Sequence, residues 1–400
     1  MAAPARQQRQ RTALSAKGQE WFAPARPDLL IAAGQRGQNA AAIATLLDCL
    51  ERRLPVHASL SGIRPADDIP APMIYCQSSG SGGRVKTIRR RHASWIASFE
   101  VNRVLLGVSS WDRYGILGQL GHSLSLYATM EAAHLGAGLV VLAGDNPQAQ
   151  MQQLGDTRVS VIYATPSQLW RLQLAAGSGG LPDVAHIICG GGKLDDACRD
   201  GIAALCPNAE IREFYGASET SFITLADSRT PAGSVGRPYP GVNVKLDDSG
   251  RIHVASPYLF DGYAEPDLPD LPRDEAHLGT GDIGRLDSSG NLFLSGRENR
   301  MITVADRNLF LEDVEATMRD AGAGLCAAIA VPDPARGNAV IAVVEGPADD
   351  ELAARLRRAC RDRLGDHAAP RRVMFLPRLP VLASDKPDLA ALALLVRTEG

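Results

Sequence analysis

The sequence lacks a long hydrophobic run. No stretch approaches the roughly 18 apolar residues of a membrane-spanning helix, so no membrane span is expected. It lacks a charge imbalance as well: 42 Lys+Arg stand against 45 Asp+Glu, a formal net charge of -3. That balance argues against binding to nucleic acid or membrane driven by charge. It lacks any CxxC pair. The seven cysteines, at 49, 76, 189, 198, 206, 326 and 360, are odd in number and scattered, which fits free thiols in a reducing compartment rather than a disulfide frame or zinc site. The opening MAAPARQQRQRT has no apolar core of the signal-peptide kind, and a cytoplasmic protein is expected. No segment of about 20–50 residues repeats.

What is present is globular in kind. The 400 residues are 45% hydrophobic and 22% charged, enough for about two or three domains, each with its own core. Residues 1–20, Gln/Arg-rich and aperiodic, read as a loose arm. From Asp28 onward, apolar runs alternate with helical patterns. Asp28–Ala33, Met73–Gln77, Gly138–Ala143, Ser160–Ala164, Ala185–Cys189 and Glu210–Tyr215 read as strands; Pro166–Ala175 and Leu194–Leu205 read as helices. Asn39 is placed as the cap of a helix carrying Ile43, Leu46, Leu47 and Leu50 on one face. Such alternation predicts an α/β fold with a largely parallel, helix-covered sheet. After about residue 230, turn signals at Asp247-Asp248-Ser249-Gly250 and Asp287-Ser288-Ser289-Gly290 predict β-rich hairpins up to 298. Residues 299–400 then read as a small α+β domain. It carries a helix near Leu311–Arg319, strands Ala327–Val331 and Ala339–Val344 around a Pro332–Asn338 loop, and a helix with Leu352, Leu356, Cys360 and Leu364 on one stripe.

The segment richest in chemistry is Ser78-Ser79-Gly80-Ser81-Gly82-Gly83-Arg84-Val85-Lys86, directly after a predicted strand. Its glycines allow backbone N–H groups to converge, and its hydroxyls and lysine add donors, which suits a triphosphate. Val85 stands where a Walker A loop needs glycine, so that motif is excluded. A flexible Ser/Gly loop with no ligand is the other reading. Arg89, Arg90 and Arg91 read as a solvated basic face.

Four further segments follow in order: Phe214-Tyr215-Gly216-Ala217-Ser218-Glu219-Thr220; Gly233-Ser234-Val235-Gly236-Arg237-Pro238; Thr280-Gly281-Asp282-Ile283-Gly284 with Ser295-Gly296-Arg297; and Lys386 at the end of Leu379–Lys386. With the glycine-rich loop, they resemble the adenylate-forming superfamily of acyl- and aryl-CoA synthetases, peptide-synthetase adenylation domains and luciferases. The resemblance covers residues 28 to 390. It implies a large N-terminal domain (21–298) with helix-covered sheets and a β-rich subdomain, and a small mobile α+β lid (299–400). It implies ATP and Mg²⁺ as cofactors, adenylation of a small carboxylic acid with loss of pyrophosphate, and transfer to CoA or to phosphopantetheine on a carrier protein. Residues 78–83 and Lys86 would hold the pyrophosphate end of ATP and Glu219 the Mg²⁺. Tyr215, beside Gly216, would stack on adenine, Asp282 would take the ribose hydroxyls, and Arg297 would reach ribose and phosphate. Lys386 would neutralise charge between the acid and the α-phosphate, delivered by rotation at Asn299.

The resemblance places the acyl pocket beside His122 and at Gly190-Gly191-Gly192, with Ala217 and Ser218 also small; a flat aryl acid such as a hydroxybenzoate is one candidate, an aliphatic acid another. Three departures stand out. The N-terminal part is short against the family, which leaves room for a homodimer. Asp306 occupies a position where the family has the glycine that the pantetheine arm passes. Asp385 replaces the glycine before the catalytic lysine. Two alternatives to thioester formation follow: a nucleotide- or acyl-binding subunit with reduced catalysis, or an adenylating enzyme with an amine acceptor.

Overall fold

The computed structural model describes residues 22, 25, 29–34, 38–59, 61–66, 72–78, 85–177, 179–269, 271–382 and 386–398. The arm at 1–20, Ser79, Gly80, Ser81, Gly82, Gly83 and Asp385 lie outside them. Contacts divide the chain into two compact units. The first takes in residues up to 78, 86–243 and 255–270; the second takes in 244–254 and 271–400.

In the first unit an eight-stranded sheet runs in the order Leu30–Ala33, Gly138–Val141, Arg113–Ile116, Val161–Ala164, His186–Gly190, Glu210–Ala217, Ser221–Ala226, Arg237–Pro238. The first six are parallel and the last two antiparallel. Gly138–Val141 and Val161–Ala164 are buried along their whole length, as strands covered by helices on both faces must be. Helix Pro166–Ala175 starts with Pro at its first position and a reciprocal cap between Thr165 and Gln168; Asp195 caps Asp196–Leu205 through the Cys198 N–H. Leu117, Val140, Leu154, Ile162, Leu169, Ile187 and Ile202 close the core between these helices and the sheet.

Asn39 does not cap its helix. The helix spans Gln38–Glu51, and the Asn39 amide reaches across to the Ala143 carbonyl at 2.8 Å. It ties the helix to the chain just after a central strand, a partner more than a hundred residues away that local sequence does not reveal.

A second sheet of five strands has the order Gly262–Tyr263, Lys86–Arg91, Met73–Ser78, Val56–Ser59, Gly62–Pro65. Met73–Ser78 and Lys86–Arg91 form an antiparallel hairpin whose last pair is Ser78 with Lys86, so the glycine-rich segment connects two paired strands.

The second unit holds a sheet of Asn243–Leu246, Arg251–Ala255, His277–Leu286 and Arg273–Asp274, with Leu292–Arg297 paired to His277–Leu286. It also holds a three-stranded sheet of Cys326–Asp333, Gly337–Glu345 and Arg372–Leu376, packed by helices Leu311–Asp320, Asp350–Leu364 and Leu389–Thr398. The expected Pro332–Asn338 loop shrinks to a tight turn, because Pro332 still pairs with Asn338. Just after Asn299, the buried Glu315 carboxylate accepts two hydrogen bonds from Arg300, at 2.8 and 3.1 Å, and one from the Ala328 N–H at 2.9 Å.

Strands Met301–Val304 and Arg307–Phe310 are joined by two residues, Ala305 and Asp306, with φ of 49° and 61°. A two-residue turn with both φ positive favours Asn-Gly, and alanine is poorly suited to it. Ala305→Gly is expected to raise stability by about 0.5 kcal/mol, the relief of left-handed strain less the added chain entropy of glycine. A shift in the urea midpoint toward lower concentration would contradict this.

Candidate active site

The hairpin Met73–Ser78/Lys86–Arg91 puts Lys86 at the foot of the glycine-rich segment. Strand Gly262–Tyr263 pairs beside it, with Tyr263 opposite Ile88. The Lys86 ammonium lies 4.8 Å from the centre of the Tyr263 ring and donates to its hydroxyl at 3.4 Å. The Tyr263 hydroxyl in turn donates to Glu219 Oε1 at 2.8 Å. Lysine, phenol and carboxylate form one chain of polar groups, linking the expected phosphate lysine to the expected metal ligand. Tyr263 itself was not read from the sequence. Beside it, the Glu265 carboxylate accepts the Thr87 N–H, 3.0 Å to each oxygen.

Glu219 sits in the turn joining Glu210–Ala217 to Ser221–Ala226. The turn is closed by the Ala217 N–H donating to the Thr220 hydroxyl at 3.0 Å, and the Glu219 carbonyl accepts the Phe260 N–H at 2.8 Å. Among the described residues only Oε1 of Glu219 accepts a hydrogen bond, which leaves Oε2 for a cation. No cluster of three or more His, Cys, Asp or Glu that could hold a metal occurs among the described residues. One carboxylate with a free oxygen suits Mg²⁺ carried largely by phosphate and water, and does not suit an all-protein cage.

The arginine run is only in part the expected solvated face: Arg91 is exposed and Arg89 half-buried. Arg90 is wholly buried, and its guanidinium donates to Ser94 Oγ at 3.0 Å, the Tyr258 carbonyl at 2.5 Å and the Ser218 carbonyl at 2.7 Å. Arg91 pairs with Asp261 at 2.8 Å, and Arg89 donates to the Asp261 carbonyl at 2.9 Å. All three reach the 258–261 segment, Arg90 from the interior and Arg91 from an exposed position.

His122 directly precedes helix Ser123–Leu135, and its backbone bridges to Gln77 at the end of Met73–Ser78. The next residue, Ser123, shares a hydroxyl hydrogen bond of 2.7 Å with Ser218. His122, Ser78 and Ser218 are thereby gathered near Glu219. Tyr215 lies on Glu210–Ala217, where a register shift between Tyr215 and Gly216 bends the strand end; a Cβ at Gly216 would lie 1.9 Å from the Ser221 carbonyl, so the bend needs glycine. The three pocket glycines differ. A Cβ on Gly190 would fall 2.2 Å from the Phe214 ring, so that space is already filled by protein, whereas at Gly192 the nearest neighbour is Pro166 at 3.6 Å.

In the second unit Asp282 and Arg297 are direct cross-strand partners, with Arg297 Nε 3.4 Å from Asp282 Oδ1. Lys386 lies in a loop closed by the Leu382 N–H donating to its carbonyl at 2.8 Å and by pairing of Val381 with Pro387. The Lys386 residue as a whole is exposed, yet its ammonium end is enclosed enough that desolvation, then the Arg297 charge, bring its pKa down to about 8, against the pull of Asp282. A lysine beside a second cation holds its proton less tightly. The loop thus places Lys386, Arg297 and Asp282 within electrostatic reach of one another.

All seven cysteines are buried and free, and burial raises Cys76, Cys206 and Cys326 to about 12; none has the character of a nucleophile. No helix among the described residues is long and apolar enough to cross a membrane.

Similar proteins point to one family and fold. A family model described as AMP-binding enzyme matches residues 28–264, and one described as AMP-binding enzyme C-terminal domain matches 315–386. The uncharacterized acyl–CoA ligase YhfT of Bacillus subtilis (strain 168) is 31% identical over 337 residues, covering 80% of this chain and 68% of YhfT. The amide bond synthetase McbA of Marinactinospora thermotolerans superposes with a TM-score of 0.69 at 26% identity, over 82% of this chain and 69% of McbA. ATP-bound MatB from Rhodopseudomonas palustris superposes with a TM-score of 0.72 over 92% of this chain and 79% of MatB, at 19% identity, a likeness of fold.

Proposed function

The chain belongs to the AMP-binding enzyme family, and from that premise we propose that it is an ATP-dependent, AMP-forming ligase that activates a carboxylic acid as its acyl-adenylate and passes the acyl group to a thiol. The observation that carries this reading is the Lys86–Tyr263–Glu219 chain at the base of the glycine-rich hairpin. A carboxylate oxygen forms a bond to the α-phosphorus, the bond to the bridging oxygen breaks, and pyrophosphate leaves. Both reactants are anions, so the barrier is one of charge and position. Lys86 and the segment at 78–83 grip the β- and γ-phosphates, Asp282 and Arg297 take the ribose, and Lys386 donates toward the oxygens between acid and α-phosphate. Mg²⁺, when bound at Glu219, neutralises phosphate oxygens. Tyr263 fixes one Glu219 oxygen so that the other faces the nucleotide. A small acid, aryl or aliphatic, is assigned to the segments holding Gly191, Gly192, Ala217 and Ser218, where a Cβ at Gly192 would meet only Pro166, at 3.6 Å. CoA or a carrier-borne phosphopantetheine accepts the acyl group at its sulfur, releasing AMP.

The test is pyrophosphate exchange into ATP across a panel of aryl and aliphatic acids. At least one acid is expected to stimulate exchange well above the acid-free rate; none doing so at millimolar concentration would leave a nucleotide-binding subunit. Glu219→Gln is expected to raise the Mg²⁺ needed for half-maximal exchange by roughly tenfold, the range in which one weakened ligand contact falls. An unchanged Mg²⁺ requirement would remove Glu219 from the metal.

One observation favours an amine acceptor as a second reading. Asp306 occupies the left-handed turn, φ 61°, with a carboxylate where the resemblance expects glycine to let a pantetheine arm pass. Turnover with simple amines exceeding turnover with CoA at equal concentration would favour it, and the reverse would exclude it.

A further inference from the structure

Arg90 is the one fully buried arginine in the chain's described core, and it is spent on main-chain oxygens. Its partners are two carbonyls and a hydroxyl rather than a carboxylate, and its Nε has no hydrogen-bond partner. Burying a guanidinium costs several kcal/mol, and packing against Trp95, whose ring lies 5.4 Å away, could be had from a leucine. The two carbonyls belong to particular places. Ser218 immediately precedes Glu219. Tyr258 opens the segment whose Phe260 N–H binds the Glu219 carbonyl and whose Tyr263 hydroxyl binds its carboxylate. Arg90 itself lies on the strand that begins with Lys86. One guanidinium therefore holds, from the phosphate-lysine strand, both segments that meet at Glu219.

The geometry points to Arg90 as a positioning residue that sets the Glu219 carboxylate at a fixed place relative to Lys86, through the Ser218 and Tyr258 carbonyls, and so governs how Mg²⁺-ATP is gripped. This rests on the assignment of Glu219 and Lys86 to the nucleotide. Lysine at position 90 keeps the charge but cannot span two carbonyls with a planar fork; glutamine keeps a donor but loses the charge.

Titration calorimetry with ATP, in Mg²⁺ and in excess EDTA, tests it on the full chain, using wild type, Arg90→Lys, Arg90→Gln, Glu219→Gln and the Arg90→Lys/Glu219→Gln double variant. Folding of each is checked by circular dichroism; two substitutions at 90 guard against one failing to fold. Arg90→Lys is expected to weaken ATP binding about tenfold in Mg²⁺ and less than twofold in EDTA, and to add nothing once Glu219 is already Gln. Equal weakening with and without Mg²⁺, or losses that simply add in the double variant, would overturn the role and leave Arg90 as a packing residue. If wild type binds Mg²⁺-ATP in this Arg90- and Glu219-dependent way but no acid supports pyrophosphate exchange, the ligase reading fails and the positioning role stands.

Discussion

Lys386→Ala is expected to lower acid-dependent pyrophosphate exchange by about a thousandfold, near 4 kcal/mol of transition-state stabilisation, the range seen when one charge-stabilising donor is lost from a preorganised site. The reasoning is electrostatic. An acyl-adenylate forms by bringing a carboxylate onto a phosphate, and the only positive groups assigned to that meeting point are the metal, Arg297 and Lys386. Removal of Lys386 leaves the developing charge unpaired while binding of ATP, which the proposal assigns to Lys86, Asp282 and Arg297, continues. The loss should therefore appear in kcat, with the KM for ATP changed less than about threefold. The lowered lysine pKa adds a pH signature. With Lys386 falling to about 8, its ammonium is present below pH 8 and lost above it, so wild-type exchange declines as pH rises through 8 to 9. Arg297→Ala removes a repelling charge and should move that decline to higher pH, even as it slows the reaction. An exchange rate in Lys386→Ala within tenfold of wild type would show that this lysine does not touch the reacting atoms. Hydrolysis or acceptor transfer, by contrast, should survive the substitution when pre-formed acyl-adenylate is supplied.

Much of this site was legible in the sequence because its parts are local. A glycine-rich run after a strand marks a loop by its own composition, whereas the Tyr-Gly pair before Glu219 and the Gly281-Asp282 pair, both inside strands, stand out only through the family resemblance. What was not legible is what joins them. Tyr263 belongs to a strand of two residues, Gly262–Tyr263, too short for any periodic signal, and its meeting with Glu219 spans 44 positions. Arg90 departs from expectation because three adjacent arginines resemble a solvated face. The strand's alternation held the correct signal: Ile88 and Arg90 share a side, Ile88 is buried, and so is Arg90. The expected Asn39 cap fails for the same reason: its partner, the Ala143 carbonyl, lies elsewhere in sequence. Gly190 resembles pocket space until Phe214 is seen against it. For Arg90, Asn39 and Gly190 composition marks the residue and only tertiary pairing says what it is for; Tyr263 carries no such mark.

Glu131→Gln is expected to remove a large pH dependence of stability in the first unit. Helix Ser123–Leu135 carries one carboxylate, at Glu131, and the residue is fully buried. It accepts hydrogen bonds from Asn102 at 2.7 Å on one oxygen and from Tyr163 and Tyr114 at 2.6 and 3.2 Å on the other. Burial pushes its pKa from 4.5 up to about 7, against the pull of these donors. Between those values the folded chain holds a proton that the unfolded chain has released. Stability from this group is therefore full below pH 4.5 and is lost as pH rises to 7, by about 3 kcal/mol at 1.4 kcal/mol per unit. Buried His92 works in the opposite sense. Desolvation brings it down to about 4, so the unfolded chain holds the extra proton between 4 and 6.5, and stability rises with pH there. The two slopes overlap and partly cancel in wild type, which is why the difference between variant and wild type is the quantity to read. Glutamine at 131 stays neutral at every pH and keeps an oxygen for the tyrosines, whose hydroxyls can rotate. Urea unfolding at pH 5, 6, 7 and 8 should show the variant gaining about 2 to 3 kcal/mol on wild type from the lowest to the highest pH. Parallel stability curves would mean that Glu131 stays ionised throughout, the three donors having outweighed burial, and that the network in this core is a carboxylate cage rather than a protonated one.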